Sequence, residues 1–285
     1  MFIFIAKERS FMKRWITVSA LIFILIFSVR AKAEGVKPEV HFMDIGQSDC
    51  ILIKGEKNYL IDTGLPRTQD KVIHYLDSKD IDNIEDIVIT HYHDDHYGGL
   101  EKILSSKKVK RVILPKHQQN YRDYIFSYLK DKNTKIDYID SSYSINEKDI
   151  NLKVILPEKE DLDIENNNGI VMCGTIDSLK YAFMADAEKE REKDILKNKE
   201  ISDCDIMKVG HHGLDTSSTE ELVRAINPRV AVVTCDGDES PSESVINRIK
   251  GNKTEILRTD KLGSIIIRKG KKDKEVEIMT SKMIE

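Results

Sequence analysis

Short apolar runs alternate with polar segments of helical length along the chain from Val40 onward. Three early runs, EVHFMDI, CILIKG and NYLIDTG, follow one another closely, and KGEKN makes a turn between the second and the third. Apolar runs joined by such short turns are typical of antiparallel strands. Later runs, including DIVIT, RVILP, KYAFMAD, DIMKVG and RVAVV, are separated by longer polar segments. The alternation predicts an α/β domain with two sheets flanked by helices.

Six segments between these runs predict helices. STEELVRAI, at 218–226, has the clearest signals, because Ser218 is placed to cap the helix together with Glu221 at its third position. Leu222, Val223 and Ile226 give this segment one apolar face. The other segments are TQDKVIHYLDSKD, YGGLEKILSS, QQNYRDYIFSYLKD, EKEREKDILKN and PSESVINRI. No linker rich in Pro, Gly or Ser divides the chain after residue 34, so we expect a single domain over residues 34–285.

Four cysteines, Cys50, Cys173, Cys204 and Cys235, raise the question of disulfide bonds. Cys204 comes just before the apolar run IMKV, and Cys235 comes just after VAVV. If these runs are neighbouring parallel strands, the two thiols lie at opposite ends of a strand about 13 Å long. A disulfide tolerates only about 7 Å between its Cα atoms. We therefore expect free, buried thiols.

The N-terminus has the order of a secretory signal peptide. Basic residues between Lys7 and Arg14 precede an apolar run at 16–29, and AKA at 31–33 has the small-x-small form of a cleavage site. About 14 apolar residues are fewer than the roughly 20 that a permanent membrane helix needs. The pattern predicts a signal peptide over residues 1–33, export of the protein, and Glu34 as the mature N-terminus. The alternative is an uncleaved anchor that tethers the domain to the outside of the membrane.

Charge bears on the choice of partner. The chain of 285 residues has a formal net charge of −4, and removal of residues 1–33 takes away six Lys or Arg and one Glu, so the mature charge is −9. An acidic domain does not favour nucleic acid as a partner, although it does not exclude it. The basic clusters KKVKR at 107–111 and KGKKDK at 269–274 are expected to be solvated loops or strand ends, and a local basic patch that binds a polyanion is the alternative.

The stretch THYHDDHYGG, at 90–99, concentrates metal-ligating side chains in one loop. His91 and His93 would point to one face of an extended segment, and a turn would then bring back Asp95 and His96. Imidazole and carboxylate are natural ligands of zinc, manganese and iron. Two ligand pairs so close together can serve two ions. The loop therefore predicts a metal centre.

Several ordered motifs resemble the metallo-β-lactamase-fold hydrolases. They are VHFMDIGQSDCILIKGEKNYLIDTG at 40–64, THYHDDHYGG, YAFMADA at 181–187 and MKVGHHGLDTSS at 207–218. DIGQSD and GHHGLDTSS are most similar to the ComEC-like subgroup, which includes the extracytoplasmic domain of a competence DNA-uptake protein. The resemblance covers nearly the whole mature chain. It implies a four-layer αββα sandwich.

The resemblance also implies ligands for two divalent ions, which we expect to be zinc, with manganese as the alternative. They are His91 and His93 for the first ion, Asp95 and His96 for the second ion, and Asp186 as the bridge between them. Asp62 matches the aspartate that orients the metal loop.

The pair His211 and His212 matches the last histidine motif of the family. One of the two is expected to complete the second site, and the other is expected to lie beside the substrate; the sequence does not distinguish them. Classical members carry a further first-site histidine, but this chain has no histidine between His117 and His211. The segment ENNNGIV at 165–171, which contains Asn168, takes its place. We therefore expect a weak first site, completed by an amide, a water or the substrate.

Other polar residues are candidates for supporting roles. Asp44, Gln47 and Asp49 of DIGQSD either orient the metal loop through hydrogen bonds or form a simple turn. Ser217, with its neighbours at 216–218, either donates to a phosphate or belongs to a helix cap. Thr259 is a candidate for the lining of the cleft.

Two neighbouring ions would deliver hydroxide to an electrophile, so hydrolysis is the expected reaction. Asp95 or Asp186 can accept the proton of the water, and the spare histidine of the pair 211 and 212 can protonate the leaving group. The subgroup resemblance favours a phosphoester or phosphodiester substrate. The alternatives are a β-lactamase or other ester hydrolase of the same fold, and a binding module that keeps metal only for stability.

Overall fold

The computed structural model describes residues 36–117 and 134–284, together with Asp123, Tyr124, Ile125, Ser127 and Leu129. The predicted signal segment lies outside the described residues, as does most of the predicted helix QQNYRDYIFSYLKD. From Lys37 onward the chain forms one compact unit. In the described ranges, no helix combines the length and the apolar composition that crossing a bilayer requires.

Strands make up most of the regular structure in the described residues. They are β1 (Glu39–Phe42), β2 (Ile51–Lys54), β3 (Asn58–Ile61), β4 (Asn83–Val88), β5 (Lys108–Leu114), β6 (Lys135–Tyr138), β7 (Ser144–Glu147), β8 (Ile150–Ile155), β9 (Val171–Ile176), β10 (Leu179–Phe183), β11 (Ile206–Lys208), β12 (Val230–Val233), β13 (Glu255–Arg258), β14 (Ile265–Lys269) and β15 (Val276–Thr280).

Helices fill the connections. Those with described bounds are α1 (Gln69–Ser78), α2 (Asp94–Tyr97), α3 (Leu100–Ser106), α4 (Lys189–Lys197), α5 (Glu220–Ile226), α6 (Glu243–Gly251), α7 (Thr259–Leu262) and α8 (Ser281–Ile284). Short 3-10 helices occupy Pro66–Thr68, Glu165–Asn168 and Gly210–Gly213.

The described strands form two mixed sheets. The first has the order β15-β14-β1-β2-β3-β4-β5-β6, and the second has the order β13-β12-β11-β10-β9-β8-β7. Strands β1, β2 and β3 pair antiparallel, as their short turns predicted. From β3 to β6, and from β10 to β13, the pairing is parallel. In each sheet, about half of the strands are parallel. The loops that follow these parallel strands lie together at the carboxyl-terminal ends of the strands.

Side-chain alternation builds the layers. In β1, Val40 and Phe42 enter a core shared by the two sheets, whereas His41 lies on the opposite face, where Nδ1 is 2.9 Å from the Tyr75 hydroxyl of α1. A second core lies between the first sheet and helices α1 and α3, and further cores lie between the second sheet and α4, α5 and α6. The four-layer αββα sandwich is confirmed.

The cap predicted for α5 is wrong by one residue. Thr219, not Ser218, is the N-cap, and its hydroxyl accepts from the backbone N–H of Leu222 at 3.3 Å. Glu192 of α4 accepts hydrogen bonds from the backbone N–H groups of both Ser218 and Thr219. Ser218 consequently has a φ of 55° and does not cap. The predicted apolar face of α5 is confirmed, since its three members are buried.

The cysteine prediction is confirmed, because all four cysteines lie in the described part of the chain and are free and buried. The parallel pairing of β11 and β12 separates the thiols of Cys204 and Cys235. The cluster KKVKR lies at the start of β5, as expected for a strand end, and its Lys108 and Lys110 are exposed, whereas its other two cations are at least partly buried and are paired. Lys107 is buried beside Asp77, and Arg111 donates two hydrogen bonds to Asp86.

Candidate metal centre

The metal-ligating residues follow the carboxyl-terminal ends of strands from both sheets. Asp62 comes directly after β3, and the loop 90–99 follows β4. Asp186 follows β10, and the turn at 210–213 that carries His211 and His212 follows β11. Because the strands end at the same edge, residues more than 100 positions apart meet in one place. The sheet topology therefore assembles the centre.

A single carboxylate oxygen lies at the middle of four imidazoles. Oδ2 of Asp186 is 3.2 Å from Nε2 of His96 and 3.5 Å from Nε2 of His212. The Nε2 atoms of His211 and His91 are 3.9 and 4.0 Å from the same oxygen. Asp186 itself is buried. The structure thus brings together the predicted bridge and the ligands that the sequence placed around it.

Hydrogen bonds on the far side of two buried rings fix their orientation. Nδ1 of His96 is 2.7 Å from Oδ2 of Asp62, and that carboxylate also accepts from the backbone and hydroxyl of Thr90 at 2.7 Å each. Nδ1 of His212 is 2.9 Å from the carbonyl oxygen of Thr234. When Nδ1 donates the proton, Nε2 keeps its lone pair for a metal ion. Asp62 lies where its predicted orienting role requires.

The second-site ligands have the spacing of a tetrahedral ion. Oδ2 of Asp95 is 3.6 Å from Nε2 of His96 and 3.1 Å from Nε2 of His212, and Asp186 completes the group at the distances given above. Four ligand atoms at the usual 2.0–2.1 Å from a tetrahedral ion lie about 3.4 Å apart. Among the described residues, the buried Nε2 of His96 has no hydrogen-bond partner. These residues fit a divalent ion, and His212 rather than His211 belongs to them.

Glu165, a residue to which the sequence assigned no role, orients the first-site pair His91 and His93. Nε2 of His91 is 3.2 Å from Nδ1 of His93, again close to the edge of a tetrahedron. Nε2 of His93 is 2.9 Å from Oε2 of Glu165. The carboxylate accepts the proton there and leaves Nδ1 facing His91. The segment 165–171 therefore replaces the absent histidine with an orienting carboxylate.

The remaining histidine lies at the open side of the centre. His211 is partly exposed, and its Nδ1 is 2.8 Å from the hydroxyl of Thr216 and 3.4 Å from Oε1 of Glu188. The amide nitrogen of Asn166 lies 3.4 Å from His211 Nε2 and donates to Glu188 at 2.8 Å. Both histidines of the pair have positive φ values, which is how consecutive rings turn toward the same carboxylate.

Burial and charge set the protonation states of the metal-free centre. Burial lowers the pKa of His91 well below its ordinary value, so this ring is neutral and able to ligate. Burial would also lower the pKa of His212, but Asp186 and Asp95 raise it to about 9. The pKa of Asp186 lies well below its ordinary value, because His96 and His212 outweigh the effect of burial. The pKa of Asp95 is also lowered, because His96 and His212 outweigh burial there, so Asp95 and Asp186 are both ionised at neutral pH.

The turn DIGQSD contacts the metal loop through Ser48 and Asp49, and not through Asp44 or Gln47, for which a supporting role was also predicted. Asp44 pairs with Lys71 of α1 at 3.6 Å, and Gln47 makes no described hydrogen bond through its buried Oε1. The backbone N–H of Asp49 donates to the carbonyl oxygen of Asp95 at 3.1 Å, and the hydroxyl of Ser48 donates to the same oxygen at 2.8 Å. Ser48 and Asp49 therefore hold the loop.

Three further predicted residues make internal contacts. Both polar ends of the Asn168 amide bind the backbone of Asp161. The Ser217 hydroxyl is buried and donates to the carbonyl oxygen of Gly210, at the base of the histidine turn. Thr259 is buried, and its hydroxyl accepts from the backbone N–H of Cys235 at 3.0 Å. These side chains support loops around the centre and are not exposed to a substrate.

Sequence reasoning also missed Lys208, which lies in the apolar run IMKV. Its side chain is fully buried, with Nζ paired to Oδ2 of Asp49, 3.1 Å from the carbonyl oxygen of Ala185 and 3.6 Å from Oδ1 of Asp186. Burial would lower its pKa, but Asp49 and Asp186 raise it. A lone lysine inside a buried strand was the available signal.

A sequence profile of the Metallo-beta-lactamase superfamily matches residues 43–237, a range that contains every ligand described above. The chain belongs to this superfamily, whose members are mostly hydrolases. Its four-layer fold and its His and Asp donor set agree with that membership.

Among curated proteins, the chain is similar to competence proteins. ComE operon protein 3 of Bacillus subtilis (strain 168) is 25% identical over 269 residues, which cover 86% of this chain and 34% of that protein. Recombination protein 2 of Haemophilus influenzae is 22% identical over 258 residues, which cover 86% and 31% of the two chains. The chain spans about a third of the length of these relatives.

Solved structures share the fold at low sequence identity. The metallo-β-lactamase fold protein YhfI of Bacillus subtilis has a TM-score of 0.55 and 12% identity, covering 78% of this chain and 96% of that chain. CmlA, a diiron β-hydroxylase from Streptomyces venezuelae, has a TM-score of 0.56 and 16% identity, covering 86% and 54%. Since these two neighbours differ in what they are named for, the fold alone does not define the reaction.

Proposed function

We propose that this protein is an exported hydrolase that uses two divalent metal ions to cleave phosphoester or phosphodiester bonds. The observation that carries the proposal is the position of Asp186 Oδ2, which has four imidazole Nε2 atoms at 3.2–4.0 Å. A pair of ions joined by one carboxylate requires ring nitrogens around a single carboxylate oxygen. It also requires that each ring be oriented by a hydrogen bond at its other nitrogen, as Nδ1 is in all four rings here. A solvated polar loop would not bury these groups together.

Each ion would have a defined set of protein ligands. His91 Nε2 and His93 Nδ1 would hold the first ion, and His96, His212 and Asp95 would hold the second, with Asp186 contributing to both. Nitrogen and oxygen donors without thiolate suit zinc or manganese. Bound there, two such ions supply a water of lowered pKa and offset negative charge on the substrate.

Residues of the chain itself handle the proton and the substrate. Asp95 is partly exposed, so its carboxylate can accept a proton from a water beside the centre. His211 lies on the open side with Nδ1 held by Thr216, and its Nε2 faces the space next to Asp186. In this proposal His211 contacts the substrate and donates to the leaving group. Thr216 and Glu188 keep its ring in place through Nδ1.

The charge of the centre favours an anionic substrate. Two divalent ions beside Asp95 and His211, which are both partly exposed, would place positive charge at the open side of the centre. An oxygen of a phosphodiester, which carries negative charge, would be attracted there more strongly than the neutral carbonyl oxygen of an ester. The relatives named for competence and recombination point in the same direction.

Location and partners are part of the proposal. The basic, apolar and small-residue order of residues 1–33 supports export, with membrane attachment only if that segment is not cleaved. The substrate is a small molecule or a polymer that carries a phosphoester; the mature charge of −9 makes nucleic acid the less favoured of the polymers. N-terminal sequencing of the secreted protein should start at Glu34, and another start would contradict the cleavage.

The reaction is tested with a phosphodiester, a phosphomonoester and a β-lactam: bis(4-nitrophenyl) phosphate, 4-nitrophenyl phosphate and nitrocefin. We expect hydrolysis of a phosphoester that requires added Zn²⁺ or Mn²⁺ and falls at least 100-fold in Asp95→Ala. Asp94→Ala is the matched control, since Asp94 is the exposed neighbour on the same loop, and it should keep most of the activity. Equal rates in both variants, or turnover of nitrocefin alone, would contradict the proposal.

A further inference from the structure

Lys208 is a fully buried lysine that lies directly under the metal centre. Its strand, β11, ends there, and Lys208 points to the same side as Ile206, which belongs to the core between the sheets. Three oxygens surround its Nζ, from Asp49, Ala185 and Asp186. Burial of an ammonium group is costly unless its partners are arranged around it, so the position demands a reason.

The two oxygens of Asp186 have different neighbours. Oδ2 faces the histidines, whereas Oδ1 is 3.6 Å from Nζ of Lys208 and makes no hydrogen bond among the described residues. The ammonium therefore lies on the side of the carboxylate that faces away from the ligands. Its charge attracts Oδ1 and opposes rotation of the carboxylate.

The second partner of Lys208 explains how it is held. Asp49 accepts from the Thr234 hydroxyl at 2.6 Å through Oδ1 and pairs with Lys208 through Oδ2. The backbone N–H of Asp49 donates to the carbonyl oxygen of Asp95. Asp49 thus connects the lysine to the metal loop of the other sheet. Its carboxylate pairs with Lys208 and accepts from Thr234. It also lies 3.8 Å from Nδ1 of His212 and 4.0 Å from Nδ1 of His96, on the sides of these rings that face away from Asp186.

We propose that Lys208 is a positioning residue of the metal centre, which holds Oδ1 of Asp186 and thereby leaves Oδ2 as the one oxygen shared by both ions. The inference rests on the proposed two-ion centre. Without the ammonium, Asp186 is free to turn and bind one ion through both oxygens. The other ion then loses its shared ligand. The first ion suffers most, because its own site has only His91 and His93 besides the bridge.

Mn²⁺ alone is the probe, added to the purified full-length protein and followed by titration and electron paramagnetic resonance. The wild type should bind two ions per chain and give the spectrum of an exchange-coupled pair. In Lys208→Met, the ion at the first site should bind at least 10-fold more weakly than in the wild type. This is the usual scale of effect for a residue that orients a metal ligand. The spectrum of this variant should change to the six lines of isolated Mn²⁺. A purely structural ion pair would not produce this change in a folded variant.

Two further variants control for folding. Lys107→Met also removes a buried, ion-paired lysine, but one far from the centre, and it should keep the coupled spectrum. Asp49→Asn combined with Lys208→Met removes both charges of the buried pair, so no unpaired charge is left if the single variant does not fold. The double variant should also lose the coupled spectrum.

A coupled pair in folded Lys208→Met, or in the double variant, would overturn the inference. Fewer than two ions in the wild type would also overturn the inference, because the two-ion centre on which it rests would be absent. None of these measurements uses a substrate. Failure of the inference can therefore be distinguished from failure of the proposed reaction.

Discussion

Glu165 and His93 are 72 residues apart, yet Oε2 of Glu165 lies 2.9 Å from Nε2 of His93. The bond presents Nδ1 of His93 to Nε2 of His91 and defines the first metal site. That site lacks the additional histidine of classical members. Its affinity should therefore depend on the orientation of the ligands that it has.

Glu165→Ala should weaken binding of the first ion by about 10-fold, the low end of the effect for an outer carboxylate partner, because the surface position of Glu165 reduces its electrostatic contribution. Glu165→Gln keeps an acceptor and should restore most of the affinity. Asp163→Ala, an exposed acidic residue two positions earlier, is the control. Calorimetric titration with Zn²⁺ measures both ions. An unchanged first affinity in Glu165→Ala would show that the contact has no such role.

His211 and His212 should give different phenotypes. His212 lies within ligand distance of Asp95 and Asp186, so His212→Ala should lose one of the two ions. His211→Ala should keep both ions and lose turnover, since His211 is assigned to the substrate. Metal content of the two purified variants separates these roles. Loss of an ion from His211→Ala with full occupancy in His212→Ala would reverse the assignment.

The carboxylate of Glu192 should be important for stability. It is buried in α4 and accepts from the backbone and hydroxyl of Thr219, at 2.9 and 2.6 Å, as well as from the backbone of Ser218. Glu192→Ala leaves these donors unpaired and should lower the free energy of unfolding by about 2–4 kcal/mol. Glu190→Ala, at an exposed position of the same helix, should change it by less than about 0.5 kcal/mol. Urea denaturation compares the two variants.

Acid should weaken the fold partly through Glu39. Its pairing with His41 at 3.4 Å and with Arg268 at 3.0 Å lowers the pKa of Glu39 to about 2. A carboxylate with a lowered pKa stabilises the fold above its unfolded value of about 4.3, and that stability is lost as the pH falls toward 2. Because Glu39 is partly exposed and solvent screens its charge, Glu39→Gln should be less stable by about 1 kcal/mol at pH 7 and equal to the wild type near pH 2.

The control for this comparison is Glu56→Gln, because Glu56 is exposed at the turn between β2 and β3. Its stability should follow that of the wild type from pH 7 to pH 2. A constant difference between Glu39→Gln and the wild type over the whole range would contradict the pKa assignment.

Local sequence was enough to predict two sheets flanked by helices and a cluster of metal-ligating side chains at 90–99, whereas Asp186 and the pair His211 and His212 were implied only by the family resemblance. Alternating apolar residues specify which face of a strand is buried, and the ligands of the loop 90–99 are adjacent in sequence. Local sequence patterns could not predict contacts between residues that are far apart in the chain. Glu165 and Ser48 contact residues of distant segments, and the one local signal for Lys208 was a lysine inside a buried apolar run. The cap of α5 was missed for the same reason, since Glu192 of a different helix takes the donors that Ser218 was expected to organise.

The choice between His211 and His212 also needed the tertiary structure. Neighbouring residues in a turn usually diverge, and only the positive φ values at both positions turn the two rings toward Asp186. The buried carbonyl oxygen of Thr234 then distinguishes His212, because it orients that ring for the second site.

The central claim is that Asp186 joins two metal ions in one centre. The most direct measurement is the number of ions bound per chain, obtained by elemental analysis after loading and dialysis, for the wild type and Asp186→Asn side by side. The account predicts two ions in the wild type and no more than one in the variant, in which the amide no longer supplies an anionic bridge. Fewer than two ions in the wild type, or two ions in Asp186→Asn, would contradict it.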